Sequence, residues 1–423
     1  MKRTVTLALL AGTNILVTLL FQWYVITQLG VGIETDALFA GLAIPQLILT
    51  VVSTSLTHVL VPLLATEAAG EFRRNSWGFF LGISGVFTII ALVLYLTAGL
   101  WVRWLVPGFT EPARILTISL TRIQLVSMIF TASVSVLWSI YHAKQQFIWV
   151  ELSTLLSSAL SFALLIVVLP VYGVTGAALL LVLRSVFQVI WLLPGLGRWQ
   201  RPDWSSAAMR HAWKRIRPLL LGTAYYRTDP LVDRYLASMA APGGLSLLYI
   251  AQQIYGVANM VAEKAIAAPM VPQLAQKASA AKWSEFRSIY QKNLLAMGGL
   301  SLLGYIGLLL LGERILNLLI GHGGVTEANV HLLWLIMVAL VGFFVAGAMG
   351  VVTSKTFYAM GDTSTPTRMS IVTYTLYIPA KVLGYYRYGL LGLAAVTSGY
   401  LFVNLAIQIL LLEGYVIPRR QRG

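Results

Sequence analysis

The stretch "YYRTDPLVDRYLAS", residues 225–238, gathers four charges in a chain that otherwise avoids them. Asp229 and Asp233 are four apart and share a helix face. Arg227 and Arg234 are seven apart and share another. Carboxylates so placed can hold a cation or a proton, and guanidinium groups hold phosphate through paired donors. The other reading is a buried ion-pair network with a neighbouring helix. Pro230 sits among these charges, where it removes a backbone hydrogen bond and kinks the segment. A second group follows in "NMVAEKAIAAP", with Asn259, Glu263 and Lys264. Adjacent helical residues diverge by about 100°, so Glu263 and Lys264 must each meet another helix or water. A third stretch, "GVGIETDALFAGLAIPQ" at 30–46, brings Glu34, Asp36 and Pro45 between two long apolar runs.

These charges matter because of their surroundings. The chain has 423 residues, 58% hydrophobic and 11% charged. A soluble domain carries about 25% charged residues. Apolar runs of at least about 18 residues, enough to cross a bilayer, recur along the whole length. A charge at the centre of a bilayer costs several kcal/mol unless it is paired or wet. The fold class expected is an all-α polytopic membrane protein. The first apolar run is too long for a cleavable leader and reads as the first span. There is no cysteine, which excludes disulfides and thiolate chemistry. A net charge of +15 would suggest nucleic acid in a soluble protein. Here the basic residues fall between spans and mark cytoplasmic loops. No nucleic-acid partner is expected.

Twelve helices fit the runs, at 5–28, 36–66, 77–101, 113–141, 147–169, 174–196, 218–239, 245–276, 293–312, 330–360, 367–386 and 390–413. With both termini cytoplasmic, nineteen Lys and Arg lie in inner segments and four in outer ones, a strong inside-positive bias. The two halves also echo each other. "LLAGT" at 9–13 returns as "LLLGT" at 219–223, and "VPLLA" at 61–65 as "VPQLA" at 271–275. "EFR" recurs at 71–73 and 285–287, and "YGVTGAA" at 172–178 as "YGLLGLA" at 388–394. Six spans per half place both halves in the same orientation, a parallel repeat. The expected organisation is a six-helix lobe over 1–196, a basic cytoplasmic linker over 197–217 and a second six-helix lobe over 218–423, around a central cavity. Arg122 and Arg184, within spans four and six, read as helix-helix or interface residues. Lys355 and Lys381 lie near span ends, where long side chains snorkel to the interface.

No phosphate-cradling P-loop, no HExxH and no arguable catalytic constellation appears, so an enzyme is the least favoured class and no metal site is expected. Energy would come from an ion gradient, the membrane potential or the substrate's own gradient.

Three segments resemble the MurJ (MviN) family, the lipid II flippases of the multidrug/oligosaccharidyl-lipid/polysaccharide exporter superfamily. They are "GVGIETDALFAGLAIPQLI" with the later Val61-Pro62, "LVDRYLASMAAPGGLSLLYIAQQI" at 231–254, and "FYAMGDTSTPTRMSIV" at 357–372. The resemblance implies a two-lobed flippase in the bacterial cytoplasmic membrane. It would pass an undecaprenyl-pyrophosphate saccharide outward by alternating access, for cell-wall or exopolysaccharide assembly. It places Asp36 at the outer end of span two and makes Pro45 the bend in that helix. It implies no cofactor beyond coupling to Na⁺, H⁺ or the membrane potential. The implied partners are the lipid-linked saccharide, membrane lipids, and glycan polymerases or glycosyltransferases. The family's first-lobe arginines have no counterpart in "LFQWYV" (20–25) or "QLILTVV" (46–52), and an arginine of span eight is replaced near Gln253. The expected anion contacts are therefore Arg227, Arg234, Lys264, Gln253 and Asn259, and the expected coupling or gating residues Asp36, Asp229, Asp233, Glu263 and Pro45. Two other readings stand beside this one: a drug/cation antiporter of the same superfamily, and a non-transporting scaffold in a glycan-assembly complex.

Overall fold

The computed structural model describes residues 2–417, without the side chains of 2–5, 8, 54, 55, 58, 69, 216–224, 226 and 415. Arg419, Arg420 and Arg422, counted above on the inner side, lie outside the described residues. So do the side chains of Lys2, Arg3 and Arg217 and those of the repeat stretch 219–223. Every described regular element is helical, and the chain divides into two compact units, residues 1–243 and 244–423.

The first unit holds α1 (Lys2–Leu29), α2 (Ile33–Gly41), α3 (Ala43–Ala65), α4 (Ala69–Leu105), α5 (Glu111–Ala143), α6 (Phe147–Leu192), α7 (Ala207–Ala224) and α8 (Asp229–Ala237). Its hub is α5, which packs against α2, α3, α4 and α6. Serines let these helices come close and bond across the seams. Ser53 meets Ser135 at 2.8 Å, Ser84 meets Ser133 at 2.7 Å, and Ser127 meets Ser185 at 3.1 Å. Lipid offers no hydrophobic drive between helices, so small residues and polar contacts of this kind set the packing. Leu56, Leu60, Leu137, Ile140 and Leu192 fill the interior where α3, α5 and α6 meet.

The second unit holds α9 (Gly244–Ala262), a π turn (Glu263–Ala267), α10 (Ala268–Ser279), α11 (Trp283–Ile320), α12 (Glu327–Ala339), α13 (Val341–Ala359) and α14 (Ser364–Leu411). Met270, Leu274, Phe286, Tyr290, Val352 and Phe357 form its core. Asp362, in the loop before α14, accepts backbone N–H bonds from Ser364 at 3.1 Å and Thr365 at 3.0 Å. Burial works against its charge, and the bonds from Thr365 and Ser364 outweigh that, so its carboxyl sits below the ordinary value.

Nine helices among the described residues are long and apolar enough to cross a membrane. Two of them carry two crossings each. In α6, Ser161 donates to the Leu180 carbonyl at 3.0 Å and Gln188 donates to Thr154 at 2.9 Å. These pairs are centred near Gly173, so the helix doubles back there. In α14, Tyr377 meets Thr397 at 2.7 Å and Asn404 donates to Thr373 at 2.9 Å, which centres the fold near Gly389. Gly173 (φ 54°, ψ −145°) and Gly389 (φ 61°, ψ −142°) share one backbone conformation, one closed to L side chains without strain. They are the matching glycines of "YGVTGAA" and "YGLLGLA". The separate spans expected at 147–169, 174–196, 367–386 and 390–413 are the arms of these two hairpins.

Span seven differs from the expectation of one helix over 218–239. The chain leaves α7 at Ala224, makes a 3-10 turn over Tyr226–Thr228 and restarts as α8. Pro230 lies in the first turn of α8, where its missing N–H has no partner to lose. It therefore sits after the break and does not kink a continuous helix. Residues 218–243 pack with the first unit, α7 and α8 both lying against α3. Arg74 forms an ion pair with Asp203, and the Trp77 indole donates to the Arg198 carbonyl at 3.2 Å. These contacts hold the basic segment 197–206 against α4.

A Cβ at either hairpin glycine would meet nothing within 4 Å, so only the backbone resists a side chain there. Gly173→Ala and Gly389→Ala should each destabilise the protein by ~1–3 kcal/mol. Gly99→Ala, in open space inside α4, should be neutral or stabilising. Thermal unfolding in detergent measures all three, and equal melting temperatures would remove the strain argument.

Candidate functional site

The turn "GVGIET" is built from its own backbone. The Gly32 N–H donates to the Thr35 hydroxyl at 3.1 Å, and that hydroxyl donates to the Gly30 carbonyl at 3.2 Å. The next residue, Asp36, is 3% exposed, and its Oδ2 accepts the Gly243 N–H at 2.6 Å. Gly243 has φ 92° and lies against Val31, where a Cβ would come within 2.5 Å of Val31 Cγ1. Asp36 therefore anchors residue 243, the last of the first unit, to the turn between α1 and α2. The helix that follows breaks at Leu42, between α2 and α3. Pro45 is buried in the first turn of α3. It has no N–H for the Gly41 carbonyl, which accounts for a break one turn upstream.

The charged stretch of span seven is split by the 3-10 turn. Arg227 lies in that turn and is exposed, whereas Arg234 lies in the last turn of α8 and is 4% exposed. The two arginines therefore sit in different surroundings, one open and one enclosed. Arg234 is also buried, so it does not snorkel. Asp229 opens α8 and Arg234 closes it, each at the helix end whose partial charge favours it. Asp233 faces the protein interior at 2% exposure.

In the second unit Glu263 turns away from Lys264 and pairs with Lys355 of α13 at 2.7 Å. Lys355 is thus an ion-pair partner and does not snorkel. The pair is partly exposed, with side chains 39% and 24% accessible for Glu263 and Lys355 respectively. Glu263 opens the π turn, a wide turn that recurs at functional sites. Lys264 is exposed and Gln253 is half-buried. Asn259 donates to the Phe343 carbonyl at 3.0 Å, which ties α9 to α13. Tyr255 stacks on Phe344 with ring centroids 4.7 Å apart. Lys381 is fully buried, its Nζ 4.9 Å from the centre of the Tyr377 ring; it too does not snorkel.

Sequence reasoning missed a polar chain inside this unit. Gln408 donates to Asn404 at 2.6 Å and accepts from Thr353 at 2.5 Å. The available signal was Asn404 and Gln408, four apart in an apolar run. No group of three His, Cys, Asp or Glu among the described residues is arranged to hold a metal.

Residues 25–417 match the family of lipid II flippase MurJ. The chain belongs to that family. A probable lipid II flippase MurJ from Vibrio cholerae is 26% identical over 244 residues, which is 55% of this chain and 45% of that protein. The aligned part spans about half the length of that curated relative. A solved lipid II flippase MurJ, in an inward closed conformation, superposes with a TM-score of 0.85 at 17% identity, over 98% of this chain and 89% of that one. An inward-facing multidrug resistance transporter of the MATE family gives 0.78 at 15% identity, over 97% and 96%. The protein is thus a multi-pass, all-helical membrane protein with the MurJ fold. The MurJ-like motif at 30–37 is a structural turn in this member, with Thr35 as its clasp and Asp36 as its anchor.

Two measurements follow from these contacts. Asp36→Ala leaves the buried Gly243 amide without its acceptor and should destabilise the protein by ~1–3 kcal/mol. Asp36→Asn keeps an oxygen there and should lose less than half of that. Equal losses in thermal unfolding would mean that the charge, and not the acceptor, is what matters. A double-mutant cycle of Glu263→Gln and Lys355→Met should give a coupling on the order of 1 kcal/mol, and strictly additive losses would deny the pair.

Proposed function

We propose that the protein moves a lipid-linked saccharide pyrophosphate across the bacterial cytoplasmic membrane by alternating access, with both termini cytoplasmic. The match to the MurJ family over residues 25–417 carries this reading. Arg227 and Lys264 support it locally, because both are exposed cations on broken stretches of helix. They stand in for the first-lobe arginines that "LFQWYV" and "QLILTVV" lack. Phosphate is the ligand such cations suit, with Arg227 presenting its planar fork and Lys264 a point charge. Glu263 with Lys355, together with Asp229 and Asp233, are the groups through which Na⁺, H⁺ or the membrane potential would be coupled. Glycosyltransferases or polymerases of cell-wall or exopolysaccharide assembly are the partners this activity calls for.

The MATE-like fold supports a second reading, a drug/cation antiporter. Reconstitution in vesicles distinguishes the two. Undecaprenyl-pyrophosphate saccharides should change leaflet, and the rate should respond to an imposed membrane potential. The double variant Arg227→Gln/Lys264→Gln should transfer at least about tenfold more slowly, as expected for losing charge-assisted bonds to phosphate. Unchanged transfer in that variant would overturn the role given to these cations. Cation-driven efflux of organic cations with no transfer of any lipid-linked saccharide would favour the antiporter.

A further inference from the structure

Arg122 is a cation at membrane depth that the proposed transport does not use. It lies on α5 in a stripe with Ile115, Ile118, Ser119 and Val126, spaced to fall on one helix face. Tyr95 of α4 forms the opposite wall, and together they line an open groove of about 440 Å³. Ile115 is 61% exposed, and Leu96 and Leu100 of the adjoining α4 are each 70% exposed, so the groove opens on an apolar surface of the first unit of the kind that suits lipid. The stripe from Ile115 to Val126 is about 16 Å long at 1.5 Å per residue.

The guanidinium is only partly satisfied by the protein. It lies over the Tyr95 ring at 5.0 Å, and its Nε donates to the Tyr95 carbonyl at 3.4 Å. Among the described residues no carboxylate pairs with it and neither terminal nitrogen has a protein hydrogen bond. An arginine has five N–H donors, so most of its donor capacity has no protein partner among the described residues, at the wall of the groove. Trp101 and Trp104 of α4 lie two turns or so beyond Tyr95, toward the 106–110 turn. Tryptophans favour the membrane interface. A helical side chain leans toward the N-terminus of its helix, so the Arg122 stem extends toward that turn and the headgroup layer on its side. Water would satisfy the donors and leave the charge uncompensated. A phosphodiester supplies both acceptors and charge, and its acyl chain, running away from that surface, would meet the apolar Ile123 and Val126.

We infer that the α4–α5 groove binds an anionic phospholipid from the leaflet on the side of the 106–110 turn, with the phosphate on Arg122 and an acyl chain running inward along Ile123 and Val126. The site is separate from Arg227 and Lys264, and its test does not depend on transport.

Purified full-length protein in detergent is given equal amounts of phosphatidylglycerol and phosphatidylcholine, and the lipids retained are counted by native mass spectrometry. The parent protein should retain phosphatidylglycerol in about tenfold excess. Arg122→Gln should abolish the excess, and Arg122→Lys, which keeps the charge without the fork, should retain part of it. Ile118→Trp fills the groove with Arg122 in place and should also abolish it. Arg103→Gln, which removes an exposed arginine paired with Glu111, should leave it unchanged. The inference is overturned if Arg122→Gln keeps the excess, or if Arg103→Gln loses it equally. It is also overturned if Ile118→Trp behaves as the parent, which would leave no part for the groove. Competition by inorganic phosphate at the same concentration would identify a soluble anion as the ligand and overturn it as well.

Discussion

Inside hydrocarbon, every backbone N–H and C=O must find its partner within the protein. This constraint makes the crossing segments helices and decides where they can stop. Each break in a span is covered by something specific. At Gly173 and Gly389 a conformation reserved for glycine reverses the chain, and cross-hairpin bonds from Ser161, Gln188, Tyr377 and Asn404 stitch the arms together. At Leu42 the break is supplied by Pro45, which has no donor to strand. Before α8 a short 3-10 turn takes up the change, with Pro230 in the first turn of the new helix.

The same constraint separates the charges that shape the fold from those available for chemistry. Asp36 is buried because it accepts an amide that would otherwise be stranded at Gly243. Asp362 does similar work at the start of α14, outside the bilayer. By contrast Arg227 and Lys264 are exposed on irregular stretches, where backbone and side chain remain open to a ligand. Two family-like motifs, around Asp36 and around Asp362, thus carry an anchoring or capping contact.

Most span positions were legible because apolar length is a strong, local signal. The hairpin glycines were legible as repeated "YG" steps, although their backbone conformation was not. Span seven was misread because Pro230 was taken as a kink in one helix, while the 3-10 turn before it leaves no periodic trace in sequence. Lys355 and Lys381 were misplaced for a different reason. Position near a span end predicts snorkelling only when no better partner is at hand, and Glu263 and the Tyr377 ring are brought by tertiary packing. Gly243 as the partner of Asp36 lies 207 positions away in the chain, beyond any pattern read along one element.

The π turn at 263–267 has a geometric consequence for the whole second half of its span. An i→i+5 turn accommodates one residue more than the α-helical repeat, so everything downstream is rotated about the axis by nearly a third of a revolution. That offset sets the phase at which Met270 and Leu274 meet Phe286 and Tyr290. A single-residue deletion within 263–267 would restore the regular ladder and swing α10's apolar side off its seat, so this loop-free stretch of helix is as intolerant of length change as any tight turn.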